Sequence, residues 1–83
     1  MLEELQVSNK FVGLKQSARA VASGEAKRAY VARDADSGVV APFEELCREV
    51  GVPVVYAESM RELQKACGVE VPTAAAVIIN EKL

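Results

Sequence analysis

The apolar residues of the chain fall into stretches with helical spacing, and each of these stretches ends at a glycine. In the first, apolar residues recur at offsets 0, 4, 7 and 8 from Leu14, and Gly24 follows as a C-terminal cap. In the second they recur at offsets 0, 4, 7, 8 and 11 from Val39, and Gly51 follows. The spacing predicts two helices of roughly ten residues each.

A third helix is predicted to end at Gly68. The segment from Ser59 to Glu62 matches the S-x-x-E capping box that opens a helix, and Met60, Leu63 and Cys67 supply its buried stripe. Between Asp34 and Gly38 the composition is typical of a turn.

Short apolar runs separate the helices and predict strands. These runs lack polar alternation, so both faces of each strand should be covered. A brief extended piece, Phe11-Val12, ends at Gly13, and residues 2 to 7 favour a short opening helix. The other three predicted strands are Ala29 to Ala32, Val52 to Tyr56, and Ala74 to Ile79.

Alternation of short strands with helices predicts an α/β fold: a single three-layer α/β/α sandwich with a small mixed, mostly parallel sheet of about four strands. With 83 residues, the chain is too short for two cores, so one domain should cover residues 1 to 83. The longest apolar run, Ala74 to Ile79, is far below the ~18 residues of a membrane span. The start Met1-Leu2-Glu3-Glu4 is unlike a secretory signal, and we expect a soluble, cytoplasmic protein.

Few residues offer catalytic or metal chemistry. The chain has no histidine, and its cysteines, Cys47 and Cys67, lack zinc-site spacing. We expect both cysteines to be reduced packing residues. Since the commonest general base near neutral pH is absent, the sequence favours a protein that is not an enzyme and that has no cofactor and no metal.

The charge is distributed unevenly along the chain. The net charge of −2 argues against a protein that coats nucleic acid through bulk electrostatics. Residues 1 to 33, however, hold six bases and three acids, whereas residues 34 to 83 hold four bases and nine acids. This asymmetry predicts a basic working face built from the N-terminal half, although surface charge also segregates without consequence.

Three groups of polar residues are candidate sites. Lys15, Gln16 and Arg19 lie opposite the apolar stripe at a helix start, where they either attract an anion or form an ordinary solvated face. Asp34 and Asp36 flank a turn; capping of the next helix explains them better than a divalent cation does, because no third ligand is evident.

The third group is the loop Val69-Glu70-Val71. Loops on a rigid α/β scaffold often hold binding residues, yet two valines would normally avoid such a position. Either these valines fold back onto the core, or they present an apolar patch to a partner.

Three segments together resemble a known family: Gly13 to Arg19, Ala32 to Asp36, and Leu63 to Ala76. They are similar to the kink-turn-binding ribosomal protein family, that of the archaeal large-subunit protein seven-Ae, and most of all to its small bacterial YbxF-type members. The resemblance spans nearly the whole chain. It implies a three-layer α/β/α domain that binds a sharply bent RNA helix, in which tandem sheared G·A pairs lie beside a three-nucleotide bulge.

The resemblance also implies which residues contact RNA. In the family, the helix after the glycine enters the widened major groove with an Asn-Glu pair followed by a base, and here those positions are Lys15, Gln16 and Arg19. The loop at 69 to 71 would pack against bulged nucleotides. Further phosphate contacts are expected from Lys10, Lys27, Arg28 and Arg33. The complete predicted RNA-binding set is Gly13, Leu14, Lys15, Gln16, Arg19, Arg33, Val69, Glu70 and Val71.

The expected partner is a structured RNA with kink-turns: a ribosomal RNA, a riboswitch or a guide RNA. We expect no DNA or membrane partner, and a monomer when RNA is absent. An alternative is a protein–protein interaction module of translation or stress signalling that uses the same fold. An enzyme built on Asp34 and Asp36 would lack a base, a metal site and a cofactor motif.

Overall fold

A computed structural model of the protein describes Leu5 and residues 9–79. The predicted opening helix at 2 to 7 lies outside the described residues except for Leu5, which is helical and fully buried. Strands and helices alternate along the described chain. They are β1 (Lys10–Val12), α1 (Leu14–Ala22), β2 (Ala26–Ala32), α2 (Ser37–Val50), β3 (Val54–Ala57), α3 (Met60–Cys67) and β4 (Ala75–Ile79).

The four strands form one mixed sheet in the order β1-β4-β2-β3. Strands β2 and β3 are parallel, with Ala29 opposite Val54, whereas β4 is antiparallel to both of its neighbours. The expected mixed sheet is confirmed, but the expectation that it is mostly parallel was wrong. The connection 68–74 is long enough to return the chain from the end of α3 to the sheet edge where α3 began. Antiparallel pairing with β1 and β2 then fixes the start of β4 at that edge.

Both faces of the sheet are covered, which confirms the three-layer prediction. Alternate residues of β2 serve opposite faces: Ala29 and Val31 pack in a cluster with α1 and α2, whereas Tyr30 and Ala32 pack in a cluster with α3 and Leu5. All four of these β2 side chains are buried, as expected for a strand without polar alternation.

The element boundaries follow local hydrogen bonds. Helix α2 begins at Ser37, two residues before the predicted start, because the carboxylate of Asp36 accepts a hydrogen bond from the Gly38 N–H at 2.8 Å. Strand β2 begins at Ala26 rather than Ala29, since its pairing with β4 continues past an irregularity to Ile79. Each of the three helices is followed closely by a glycine with positive φ, as the apolar spacing predicted.

The two cysteines lie in different layers. Cys47 packs in the cluster under α1 and α2, and Cys67 packs in the cluster under α3. Both are free and buried, and burial raises the pKa of each thiol. They are therefore packing residues on opposite faces of the sheet. No helix in the described part of the chain has the length and apolarity needed to cross a membrane.

Candidate nucleic-acid interface

The connections that carry the predicted site residues meet at one edge of the sheet, here called the loop edge. Strands β1, β2 and β3 all end at this edge, and β4 begins there. The Gly13 N–H, just after β1, donates a hydrogen bond to the carbonyl oxygen of Ala75 at 2.9 Å, and the Ala32 N–H donates to Ala74 at the same distance. The start of α1 and the end of the 68–74 connection are therefore adjacent.

Gly13 sets the direction in which α1 leaves the sheet. Its φ of 105° and ψ of 151° lie in a region of backbone space that is essentially restricted to glycine. Its N–H is bound to Ala75, and its carbonyl oxygen accepts the Ser17 N–H at 2.9 Å. The hydroxyl of the buried Thr73 also donates to the Ala75 carbonyl oxygen, at 2.9 Å. This shared acceptor joins the connection before β4 to the start of α1.

Helix α1 projects three unengaged polar side chains from this point. Lys15, Gln16 and Arg19 are exposed, and none of their side chains makes a hydrogen bond or ion pair within the described residues. Leu14 is half-buried and packs against the cluster under α1 and α2, which anchors the helix from its opposite side. Gly13 provides no side-chain cap, so the positive end of the helix adds to the two cations.

The loop at 69 to 71 divides its two valines between the core and the surface. Val69 is half-buried and packs against the cluster under α3. Val71 is 66% exposed, and Glu70 between them is also exposed. The first alternative drawn from the sequence, packing onto the core, is therefore confirmed for Val69, whereas Val71 faces solvent.

Arg33 lies at the loop edge but is already engaged. Its guanidinium lies 5.2 Å from the centre of the Tyr56 ring, and its Nε is 3.9 Å from a carboxylate oxygen of Glu58. The Tyr56 hydroxyl donates to the Glu44 carboxylate at 2.5 Å, and this hydrogen bond is the main cause of a raised Tyr56 pKa. Sequence reasoning missed Tyr56 and Glu58, because their proximity to Arg33 depends on the β2–β3 register. The β3 side of the loop edge is therefore acidic.

The other three bases proposed for phosphate contact lie away from the loop edge. Lys27 and Arg28 are near the start of β2, and both Arg28 and Lys10 are opposite Ile78, near the far end of β4. At ~3.3 Å per residue, Arg28 is roughly 13 Å along the strand from Ala32. Arg33 is the one of these four bases that the fold places at the loop edge.

Asp34 and Asp36 both serve helix starts, so capping of the next helix is confirmed for Asp36, whereas Asp34 serves the helix after it. Asp36 caps α2, and the Asp34 carboxylate accepts the Met60 N–H at 2.8 Å at the start of α3. The predicted capping box is also present, since the Ser59 hydroxyl oxygen accepts the Glu62 N–H at 3.0 Å. Within the described residues, no three His, Cys, Asp or Glu side chains are grouped so that they could hold a metal ion.

Comparisons with known proteins agree with this architecture. Residues 2–83 match the model of the ribosomal protein L7Ae/L30e/S12e/Gadd45 family. An RNA-binding protein of Caldanaerobacter subterraneus is 40% identical over 72 residues, covering 86% of this chain and 88% of the relative. The RNA-binding protein YbxF of Geobacillus stearothermophilus is 39% identical over 76 residues, covering 92% of this chain and 93% of the relative.

A solved structure is similar as well. The 15.5 kD RNA-binding protein of Giardia lamblia superimposes with a TM-score of 0.89 at 29% sequence identity, over 96% of this chain and 71% of that chain. The order of elements and the mixed sheet thus recur in a protein whose sequence has diverged substantially.

Proposed function

The chain belongs to the ribosomal protein L7Ae/L30e/S12e/Gadd45 family, and from that premise we propose that it binds RNA and recognises kink-turns at the loop edge. One observation carries the proposal. The first two turns of α1 present Lys15, Gln16 and Arg19 exposed and without partners, beside the exposed Val71. Relatives that align over most of the chain are RNA-binding proteins.

The start of α1 would read the tandem sheared G·A pairs. The major groove of a regular A-form helix is too deep and narrow for side chains, and a kink widens it. In the widened groove, the carbonyl oxygen of the Gln16 side chain accepts a guanine N–H, while Lys15 and Arg19 donate to phosphates or to guanine O6 and N7. A straight duplex would not admit the helix, so recognition depends on the bend.

The loop beside α1 would hold the bulged nucleotides. Unstacked bases present apolar faces that need a covering surface. The Val71 side chain, which is 66% exposed, provides such a surface. Val69 packs against the core and Thr73 is hydrogen-bonded to Ala75, so the chain is held in place on both sides of Val71. The loop is therefore preorganised to receive a bulge rather than ordered by it.

Binding of this kind makes the protein a scaffold for RNA. A protein that binds only the bent state shifts the RNA population toward that state. We expect it to act as a cytoplasmic monomer on ribosomal, riboswitch or guide RNA, without catalysing a reaction.

Titration calorimetry tests the proposal. The probes are a standard kink-turn RNA and a control RNA in which both sheared G·A pairs are replaced by Watson–Crick pairs. We expect binding to the first RNA only. We also expect Arg19→Ala and Gln16→Ala to weaken that binding by roughly tenfold or more, the effect of losing a good base contact.

Lys27→Ala is the matched control, because Lys27 is an exposed cation near the start of β2, at the end of the strand opposite the loop edge. It should leave the affinity unchanged. Equal binding to both RNAs, or binding to neither, would contradict the proposal and favour the alternative protein-interaction module.

A further inference from the structure

A groove of about 340 Å³ follows the outer side of α1, between that helix and strand β1. This outer groove starts at Gln16 on the loop edge and extends along α1 to the residues just after its end. Its volume is at the lower end of the roughly 300 to 1,000 Å³ typical of small-molecule sites, which suits one aromatic base. It is lined by Phe11, Gln16, Arg19, Ala20, Ser23 and Glu25.

The outer groove contains recognition groups that the fold itself does not use. Phe11 is 36% exposed on an edge strand. Arg19 and Glu25 carry opposite charges and line the same groove, yet neither side chain makes a hydrogen bond or ion pair within the described residues. Ser23 differs, because its hydroxyl donates to the Ala20 carbonyl oxygen at 3.1 Å. The groove thus combines an aromatic ring, a free guanidinium and a free carboxylate.

This combination matches one nucleobase better than the others. Unpaired bases stack on aromatic side chains, and a carboxylate accepts hydrogen bonds from two adjacent N–H groups. Guanine has such a pair, at N1 and at its N2 amino group, whereas adenine, cytosine and uracil do not. The guanidinium can donate to the phosphate of the same nucleotide.

We propose that the outer groove binds one unpaired guanine base, stacked on Phe11, with the Glu25 carboxylate accepting its N1–H and N2–H groups. The base comes either from a strand of the bound RNA or from a free guanine nucleotide. The RNA source rests on the proposed function, since the outer groove joins the loop edge through Gln16 and Arg19.

Nuclear magnetic resonance tests the free protein without any kink-turn RNA. Guanosine, inosine and adenosine monophosphates are titrated while the backbone amide shifts are followed. We expect guanosine monophosphate to shift the amides of Phe11, Arg19 and Glu25 most strongly. Inosine lacks the N2 amino group and should bind more weakly by about five- to tenfold, the loss of one bond of a bidentate pair.

Two variants assign the contacts. Glu25→Gln replaces half of the acceptor pair by a donor and should abolish the preference for guanine over inosine. Phe11→Leu retains apolar bulk on β1 but removes the ring, and should weaken binding of both nucleotides by roughly fivefold or more. Glu49→Gln is the matched control, because it makes the same charge change at an exposed position of α2 and should change nothing. Thermal unfolding of each variant verifies that it is folded.

The RNA source is tested with a kink-turn RNA that carries a short single-stranded extension beside its G·A pairs. We expect the wild-type protein to prefer guanine over inosine in the extension, and Glu25→Gln to lose this preference. A preference with the monophosphates alone would support the groove with a free nucleotide as its ligand. If neither probe shows a preference for guanine over inosine, the inference about the outer groove is overturned, even when the protein still distinguishes sheared G·A pairs from Watson–Crick pairs. If the protein does not distinguish those pairs, the proposed function is contradicted, independently of the groove.

Discussion

At the scale of single residues, the backbone of Gly13 is the feature that aims α1 at the loop edge. An ideal Cβ at this position meets no atom within 4 Å, so a substitution is opposed by the backbone conformation rather than by a steric clash. Hydrogen bonds to Ala75 and from Ser17 hold that conformation on both sides. We therefore expect Gly13→Ala to lower the free energy of unfolding by about 1–3 kcal/mol.

Urea unfolding measures this loss, and Gly24→Ala is a suitable comparison. Gly24 also has open space around its Cβ position, but its φ of 83° belongs to the cap of a helix. There an L-residue costs about 1–2 kcal/mol, less than at Gly13. A Gly13→Ala protein as stable as the wild type would show that the backbone relaxes at this position.

Gln16 stands where the family motif has Glu, so this position keeps a hydrogen-bond acceptor but lacks the negative charge. For Gln16→Glu we expect about three- to tenfold tighter binding to kink-turn RNA, because a charged acceptor forms a stronger hydrogen bond with guanine. The same carboxylate lies in the first turn of α1 and should stabilise the protein by roughly 0.3–1 kcal/mol. Calorimetry and urea unfolding measure the two effects. Greater stability combined with weaker binding would mean that position 16 faces phosphate instead of a base edge.

At the scale of elements, Asp34 joins the end of β2 to the start of α3. Its carboxylate accepts the Met60 N–H at 2.8 Å, beside the Ser59 cap. We expect Asp34→Ala to lose about 1 kcal/mol of stability, as for other helix caps, and Asp34→Asn to lose much less because the amide oxygen still accepts. Chemical denaturation of both variants measures this difference. Equal losses would indicate that charge rather than hydrogen bonding stabilises the helix start.

The elements also show what the sequence could predict and what it could not. Helical spacing from Leu14 and from Val39, with glycines after each helix, identified α1 and α2 because these signals are local. The direction of β4 was missed, since the connection 68–74 permits either orientation and only pairing with β1 and β2 selects one.

The candidate site was predictable to a similar extent. The exposure of Lys15 and Arg19 follows from the helix period, which places them opposite the apolar stripe. The engagement of Arg33 with Tyr56 and Glu58 was not predictable, because it depends on strand register.

At the scale of the whole molecule, the fold converts the charge asymmetry of the sequence into an asymmetry across the loop edge. Free cations lie on the α1 side, whereas Arg33 on the β3 side is paired with Glu58 and lies over the Tyr56 ring, whose hydroxyl donates to Glu44. An RNA approaching this edge meets unpaired cations on the α1 side and an arginine that is already paired with a carboxylate on the β3 side. The acidic net charge of −2 is therefore compatible with RNA binding, provided that the contact is confined to the loop edge.

This confinement predicts a shallow dependence of RNA affinity on salt. Three cations, Lys15, Arg19 and Arg33, lie at the loop edge, so binding should neutralise about 3 phosphates. The slope of log K against log salt concentration, measured by calorimetry at several salt concentrations, should be roughly −3. Lys15→Ala should reduce its magnitude by about 1, whereas Lys27→Ala should not, because Lys27 lies near the opposite end of β2. A much steeper slope, or one that Lys27→Ala also reduces, would mean that RNA coats the surface instead of docking on one edge.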